Sequence, residues 1–162
     1  MTGFANAVEI ILRHEGGDSD HPADPGGFTK FGISKRAYPQ IDIPHLTIEE
    51  AKAIYRRDYW DRCRCDELPY ALSLPLFDAA VNCGPFKAIV FLQAALGVAA
   101  DGAIGAKTIE AARALDADGC ERVLVDMMTR RLKHYAALPM FDVFGRGWFR
   151  RSLETFLAAV HE

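Results

Sequence analysis

The sequence predicts a mainly α-helical protein. Apolar residues recur at helical spacing through most of the chain, several of these stretches open at capping residues, and glycines or prolines stand at their ends. With 162 residues, half of them apolar, the chain has enough material for a core, as one compact unit or two intimately packed lobes.

Taken in order, Phe4, Val8, Ile11 and Leu12 mark an amphipathic helix that Gly16 and Gly17 end. A turn-rich loop follows, Asp24-Pro25-Gly26-Gly27-Phe28-Thr29. Thr47-Ile48-Glu49-Glu50 reads as a capping box opening a helix to about Cys63, with Ala51, Ile54, Tyr55 and Tyr59 inward and Arg56, Arg57 and Asp58 largely outward. From Leu68 to Cys83 the chain is largely apolar. Pro75 interrupts it, so a short lead-in and a buried helix from about Leu76 are expected. Pro85 can start the next helix, which Gly97 ends.

Beyond it, Asp101-Gly102 and Gly105-Ala106-Lys107-Thr108 suit a tight loop, where Asp101 and Thr108 can satisfy backbone groups at the next helix start. Further helices are expected over Thr108–Leu115, from Cys120 to about Leu138, and over Arg146–Val160. Val123, Leu124, Met127, Met128, Leu132 and Tyr135 form the apolar stripe of the long one, and Arg130, Arg131 and Lys133 read as its solvated face. The division expected is residues 1–84 and 85–162.

Composition narrows the function classes. The net charge is −3, with 13 acidic and 9 basic residues through position 80 and 9 acidic and 10 basic after it, so neither half is a basic nucleic-acid clamp. No stretch approaches the roughly 20 apolar residues of a membrane span, and the first residues lack a charged leader with a long apolar run. Cys63, Cys65, Cys83 and Cys120 form neither a Cys-x-x-Cys pair nor a dense disulfide framework, and read as free, mostly buried thiols. No metal or other cofactor is expected.

The chemistry points to His14-Glu15-Gly16-Gly17. Glu15 falls in the last turn of its helix, where the macrodipole is negative and an anion gains nothing, so the protonated form is relatively favoured. That suits a general acid for a glycosidic oxygen, with Ile11, Leu12, Phe28 and Phe31 available as apolar walls. Eight residues separate Glu15 from Asp24 and four separate Asp24 from Thr29, so the loop can bring all three to one cleft. A second carboxylate there can stabilise charge at the anomeric carbon or direct a water, and a Thr hydroxyl can orient that water.

Other candidates carry two readings. Tyr59 and Trp60 are core aromatics or surfaces for sugar stacking, and Trp148 is a sugar shelf or packs the terminal helix on the core. Asp78 and Asn82, four apart, share a helical face, and each braces a neighbouring loop or meets a substrate hydroxyl or acetamido group.

The run Glu15-Gly16-Gly17, Asp24-Pro25-Gly26-Gly27-Phe28-Thr29 and Gly32-Ile33-Ser34 resembles the signature of family 108 glycoside hydrolases, lysozyme-like N-acetylmuramidases of phage endolysins and Gram-negative bacteria. Tyr59-Trp60 and Asp78 to Gly84 with Val81-Asn82 extend the resemblance. The carboxyl half, through Leu92-Gln93-Ala94-Ala95-Leu96-Gly97-Val98, resembles a peptidoglycan-binding repeat. The resemblance implies a lysozyme-like helical fold with a closely packed helical carboxyl-terminal lobe, Glu15 as the catalytic residue and Asn82 in the cleft. Where many relatives carry an aromatic residue after the Gly-Gly pair, this chain has Asp18.

The function expected is therefore hydrolysis of the β-1,4 bond between N-acetylmuramic acid and N-acetylglucosamine, by a monomer whose partner is the glycan strand. Passage to the wall then requires a phage holin or a dedicated export route. A lytic transglycosylase, which leaves anhydro ends, and a noncatalytic wall-binding module are the alternatives.

Overall fold

Residues 3–16 and 29–161 are described in the computed structural model, which packs as two compact units, Met1–Asp58 and Tyr59–Glu162. The first unit opens with α1 (Gly3–Glu15), which buries Ala7, Val8, Ile10 and Ile11 and gives way to Gly16 at φ +75°, a left-handed conformation that glycine adopts without steric cost. A two-stranded antiparallel hairpin follows the loop, β1 (Thr29–Lys30) with β2 (Ile33–Ser34), pairing Thr29 with Ser34 and Lys30 with Ile33. Phe31 and Gly32 link the strands with positive φ, 52° and 77°, the signature of the type I′ turn that matches strand twist. Lys30 Nζ donates to the Pro44 carbonyl and Lys35 Nζ to that of Ile41, tying the hairpin to a single 3₁₀ turn at Ile43–His45.

Next comes α2 (Ile48–Tyr55), opened by the expected capping box: Thr47 Oγ1 accepts the Glu50 amide, and Glu50 Oε2 accepts the Thr47 amide at 2.8 Å. Its buried residues are Ala51, Ile54 and Tyr55. Where one regular helix to Cys63 was expected, the backbone widens into a π-helical turn over Arg56–Trp60.

In the second unit a 3₁₀ turn (Cys65–Glu67) leads into α3 (Tyr70–Cys83), and then α4 (Pro85–Leu96), α5 (Ala106–Arg113), α6 (Ala117–Ala136) and α7 (Phe141–Val160). Together with α1 and α2 these make seven α-helices among the described residues, a mainly α architecture as the sequence predicts. None of these helices is long and apolar enough to cross a membrane.

Four helix starts differ from expectation, that of α5 by two residues, at Ala106 after Gly105 rather than at Thr108. Helix α3 begins at Tyr70, six residues before Leu76, and carries Pro75 in its interior. Proline there forfeits one helical hydrogen bond and crowds the carbonyl four residues before it, but every residue from Leu72 to Ala80 is buried. Packing of α3 against α4, α6 and α7 thus overrides the local penalty. Helix α6 starts at Ala117, because Asp116 caps it by accepting the Gly119 amide at 2.7 Å. Helix α7 starts at Phe141 and runs through Gly145, whose bare α-carbon lies under the Phe141 ring, where a Cβ would collide.

A more consequential correction concerns Arg131. It is completely buried, not solvated. Helical periodicity sets it one turn from Met127, Met128 and Tyr135 on the inward stripe, and Asp78 of α3 waits there, with Arg131 Nη2 2.6 Å from Asp78 Oδ2. Arg151 of α7 donates through Nε to the other Asp78 oxygen at 2.8 Å. Burial pushes the Asp78 carboxyl up, and the two guanidinium groups more than reverse this, so that it lies below its ordinary value. Asp78 therefore braces two helices, not the neighbouring loop.

Gln93, 1% exposed, is another buried polar anchor. Its Nε2 donates to Asp101 Oδ1 at 2.8 Å and the Ala103 carbonyl at 2.9 Å, while its Oε1 accepts the Gly102 amide at 2.9 Å. The Asp101–Gly105 loop thus hangs on one amide side chain. Gln93→Leu, close in size but unable to bond, strands those groups and is expected to cost about 2–3 kcal/mol of unfolding free energy in urea titration. A loss below about 0.5 kcal/mol would show that the loop holds without it.

The four cysteines are free thiols, with Cys63 and Cys65 buried and Cys83 and Cys120 half-buried.

Candidate active site

Glu15 closes α1, and its side chain folds against the hairpin turn. A Cβ built on Gly32 would come within 2.8 Å of both Cγ and Oε2 of Glu15, and would also collide with the Tyr55 hydroxyl. Only a glycine lets the carboxyl group approach the backbone this closely, and the same residue carries the positive φ the turn requires. Tyr55, 1% exposed on α2, donates its hydroxyl to the Phe31 carbonyl at 2.8 Å. It pins a non-glycine residue in the left-handed region, a conformation held only when its surroundings over-determine it. Glu15 is half-buried in this cradle.

Thr29 opens β1 of the same hairpin, half-buried and paired with Ser34, so Glu15 and Thr29 belong to one local assembly in the first unit. Asp24, Phe28 and Asp18 lie outside the described residues. Gly32 and Tyr55 do not stand out in the sequence as supports for Glu15. The available signals are a glycine at a two-residue hairpin turn and a tyrosine on the inner stripe of α2, and neither announces a partner 17 or 40 residues away.

In the second unit, Trp60 is 1% exposed, packs edge-on against Phe77 with ring centroids 5.3 Å apart, and donates Nε1–H to Asp66 Oδ1 at 2.9 Å. It takes the core reading. Tyr59, its neighbour, is half-buried. Asn82 and Trp148, 66 residues apart in sequence, converge on Tyr135. The Trp148 ring stacks on that of Tyr135 with centroids 5.3 Å apart and planes 30° apart, and the Tyr135 hydroxyl donates to Asn82 Oδ1 in a short hydrogen bond. Trp148 therefore packs, but it remains half-buried and not enclosed. Burial pushes the Tyr135 phenol far above its ordinary value, so it stays a neutral donor. Among the described residues no cluster of His, Cys, Asp and Glu has the makings of a metal site.

A carboxyl group held close against a fixed hairpin turn suits acid–base chemistry. The chain matches the family model described as Glycosyl hydrolase 108 over residues 8–84, and that of a Predicted Peptidoglycan domain over residues 87–153. It is also similar to the solved structure of Brucella abortus SagA, at 34% identity and a TM-score of 0.86, over 98% of this chain and 94% of that one. No curated protein matches it. The chain belongs to the glycosyl hydrolase 108 family, and with its peptidoglycan domain it is a peptidoglycan hydrolase.

The two family matches meet between residues 84 and 87, whereas the compact units meet between Asp58 and Tyr59. Helix α3 accounts for the difference, since it is matched with the hydrolase segment but packs with α4, α6 and α7.

Proposed function

We propose that this hydrolase cuts the β-1,4 bond between N-acetylmuramic acid and N-acetylglucosamine, with Glu15 donating a proton to the leaving glycosidic oxygen. The supporting observation is the cradle: Gly32 and Tyr55 give the Glu15 carboxyl group one seat, at the hairpin that begins with Thr29. General acids work from such fixed positions, because protonation must coincide with bond cleavage. In this reading Thr29 orients the attacking water, Asp24 supports the oxocarbenium-like transition state or that water, and Asn82, Tyr59 and Trp148 contact sugar, with Trp60 supporting from the core.

Digestion of purified peptidoglycan tests the reaction directly, with products weighed before and after borohydride reduction. Muramic ends that gain the mass of reduction support hydrolysis at this bond. Anhydro ends would make it a lytic transglycosylase, and wall binding without soluble products would make it a binding module. The reading extends to a monomer that reaches the wall through a holin or a dedicated export route, which a lysis assay with and without a co-expressed holin examines.

Gly32→Ala probes the cradle. The added methyl group meets Glu15 and Tyr55, and the residue must hold a left-handed φ at a cost of about 1–2 kcal/mol. Turnover is expected to fall about tenfold to a hundredfold in protein that still unfolds cooperatively. Unchanged turnover would detach the cradle from the chemistry.

A further inference from the structure

Asn82 is an amide, and an amide can face either way. Its neighbours remove that freedom. Asp78 and Arg131, both completely buried, form an ion pair at 2.6 Å. Arg131 Nε donates to the Tyr135 hydroxyl oxygen at 2.9 Å, so that oxygen is engaged as an acceptor and its own hydrogen passes to Asn82 Oδ1. The chain of donors runs one way, from guanidinium to phenol to amide oxygen. It leaves Nδ2 of Asn82 as the group available to a ligand, a donor with no capacity to accept.

A sugar hydroxyl both donates and accepts, so it needs no partner of fixed direction. An acetamido carbonyl only accepts, and a donor locked in one orientation suits it. Trp148 is stacked on the same Tyr135, has the Phe144 ring 5.9 Å away and stays half-buried, so its accessible part can meet a sugar.

We propose that Tyr135 is a positioning residue for specificity: held by Arg131 and Asp78, it fixes Asn82 so that Nδ2 donates to the acetamido carbonyl of an N-acetylated sugar beside Trp148. This rests on the reading that the enzyme cleaves the glycan strand and that Asn82 contacts it. The consequence is a preference for N-acetylated over de-N-acetylated strands that depends on a tyrosine hydroxyl which itself touches no substrate.

The experiment measures KM and kcat on peptidoglycan, on the same material after chemical de-N-acetylation, and on that material re-acetylated. Wild type is expected to favour the acetylated forms by about tenfold in kcat/KM, the worth of one well-placed hydrogen bond. Tyr135→Phe keeps the ring under Trp148 and frees the amide to turn. Asn82→Asp keeps an acceptor for the Tyr135 hydroxyl but removes the donor. Each is expected to raise KM on acetylated wall about five- to tenfold with kcat within about twofold, and to erase the preference. The double variant is expected to be no worse than Asn82→Asp alone, because both changes act through one contact.

A purely structural tyrosine would lower thermal stability or the active fraction on all substrates equally and leave the preference intact, and that result overturns the proposal. Asn82→Asp tests the amide contact separately, and a preference that survives in that variant overturns the proposal even where Tyr135→Phe folds poorly. Wild type that cleaves nothing overturns the underlying reading and this one with it. Wild type that cleaves, with the preference surviving in both variants, overturns this one alone.

Discussion

Glu15→Gln is expected to reduce peptidoglycan turnover by about 10³-fold while leaving wall binding within about twofold of wild type. The glutamine has nearly the same shape, so it can lie against Gly32 as the glutamate does, and the hairpin and its Tyr55 tie need not move. What it lacks is a transferable proton. The leaving sugar must then depart as an alkoxide or take its proton from water, which forfeits the acid's share of the barrier. Release of reducing ends measures the first quantity, and pelleting with insoluble wall measures the second. A variant retaining more than about a tenth of wild-type turnover would move the acid to another residue. A variant that lost binding and turnover together would make Glu15 a structural residue.

The second large effect concerns stability. Asp78→Asn is expected to lower the unfolding free energy at neutral pH by about 3–5 kcal/mol, since it leaves Arg131, completely buried, without its counter-ion and takes a carboxylate away from Arg151. The pH dependence has a definite sign. The folded carboxyl group lies below its ordinary value of about 4, so its stabilising contribution is complete above that pH and is lost as the pH falls below it. Urea titrations of wild type and Asp78→Asn should therefore lie far apart at pH 7 and draw together toward pH 3. Curves separated by under about 1 kcal/mol at pH 7, or by a constant gap across the range, would contradict this account.

What the sequence revealed follows from which forces act locally. Helices α1, α4 and the stripe of α6 are legible because apolar spacing and end residues both report on the same segment, and the Thr47–Glu50 box is legible because its two hydrogen bonds span three residues. The start of α3 was hidden by Pro75, and that of α7 by Gly145 and Gly147. In each case the local preference opposes the helix; burial, which involves distant residues, decides in favour of α3, whereas at the start of α7 only Gly145 is buried, against the Phe141 ring. The hairpin of β1 and β2 has strands of two residues, too short to show an alternation.

Arg131 illustrates a different failure. Its position on the α6 stripe is readable from Leu124, Met127, Met128 and Tyr135, but its charge argues for solvent, and only the counter-ion on a distant helix reverses that. The site divides in the same way. Glu15 stands out through its helix end and glycines, whereas the features that hold it, Gly32 and Tyr55, come from separate segments that meet only in the folded chain.

The Asp78 cluster also bears on how the second unit assembles. Its carboxylate comes from α3, one guanidinium from α6 and the other from α7, and these segments lie far apart along the chain. Docking α3 without α6 buries an anion short of a partner, and docking α6 without α3 buries a cation with none. Each incomplete arrangement is thus penalised by several kcal/mol relative to the finished one. The cluster therefore acts as an assembly check, disfavouring partly docked forms and making the helices of this unit fold and unfold together.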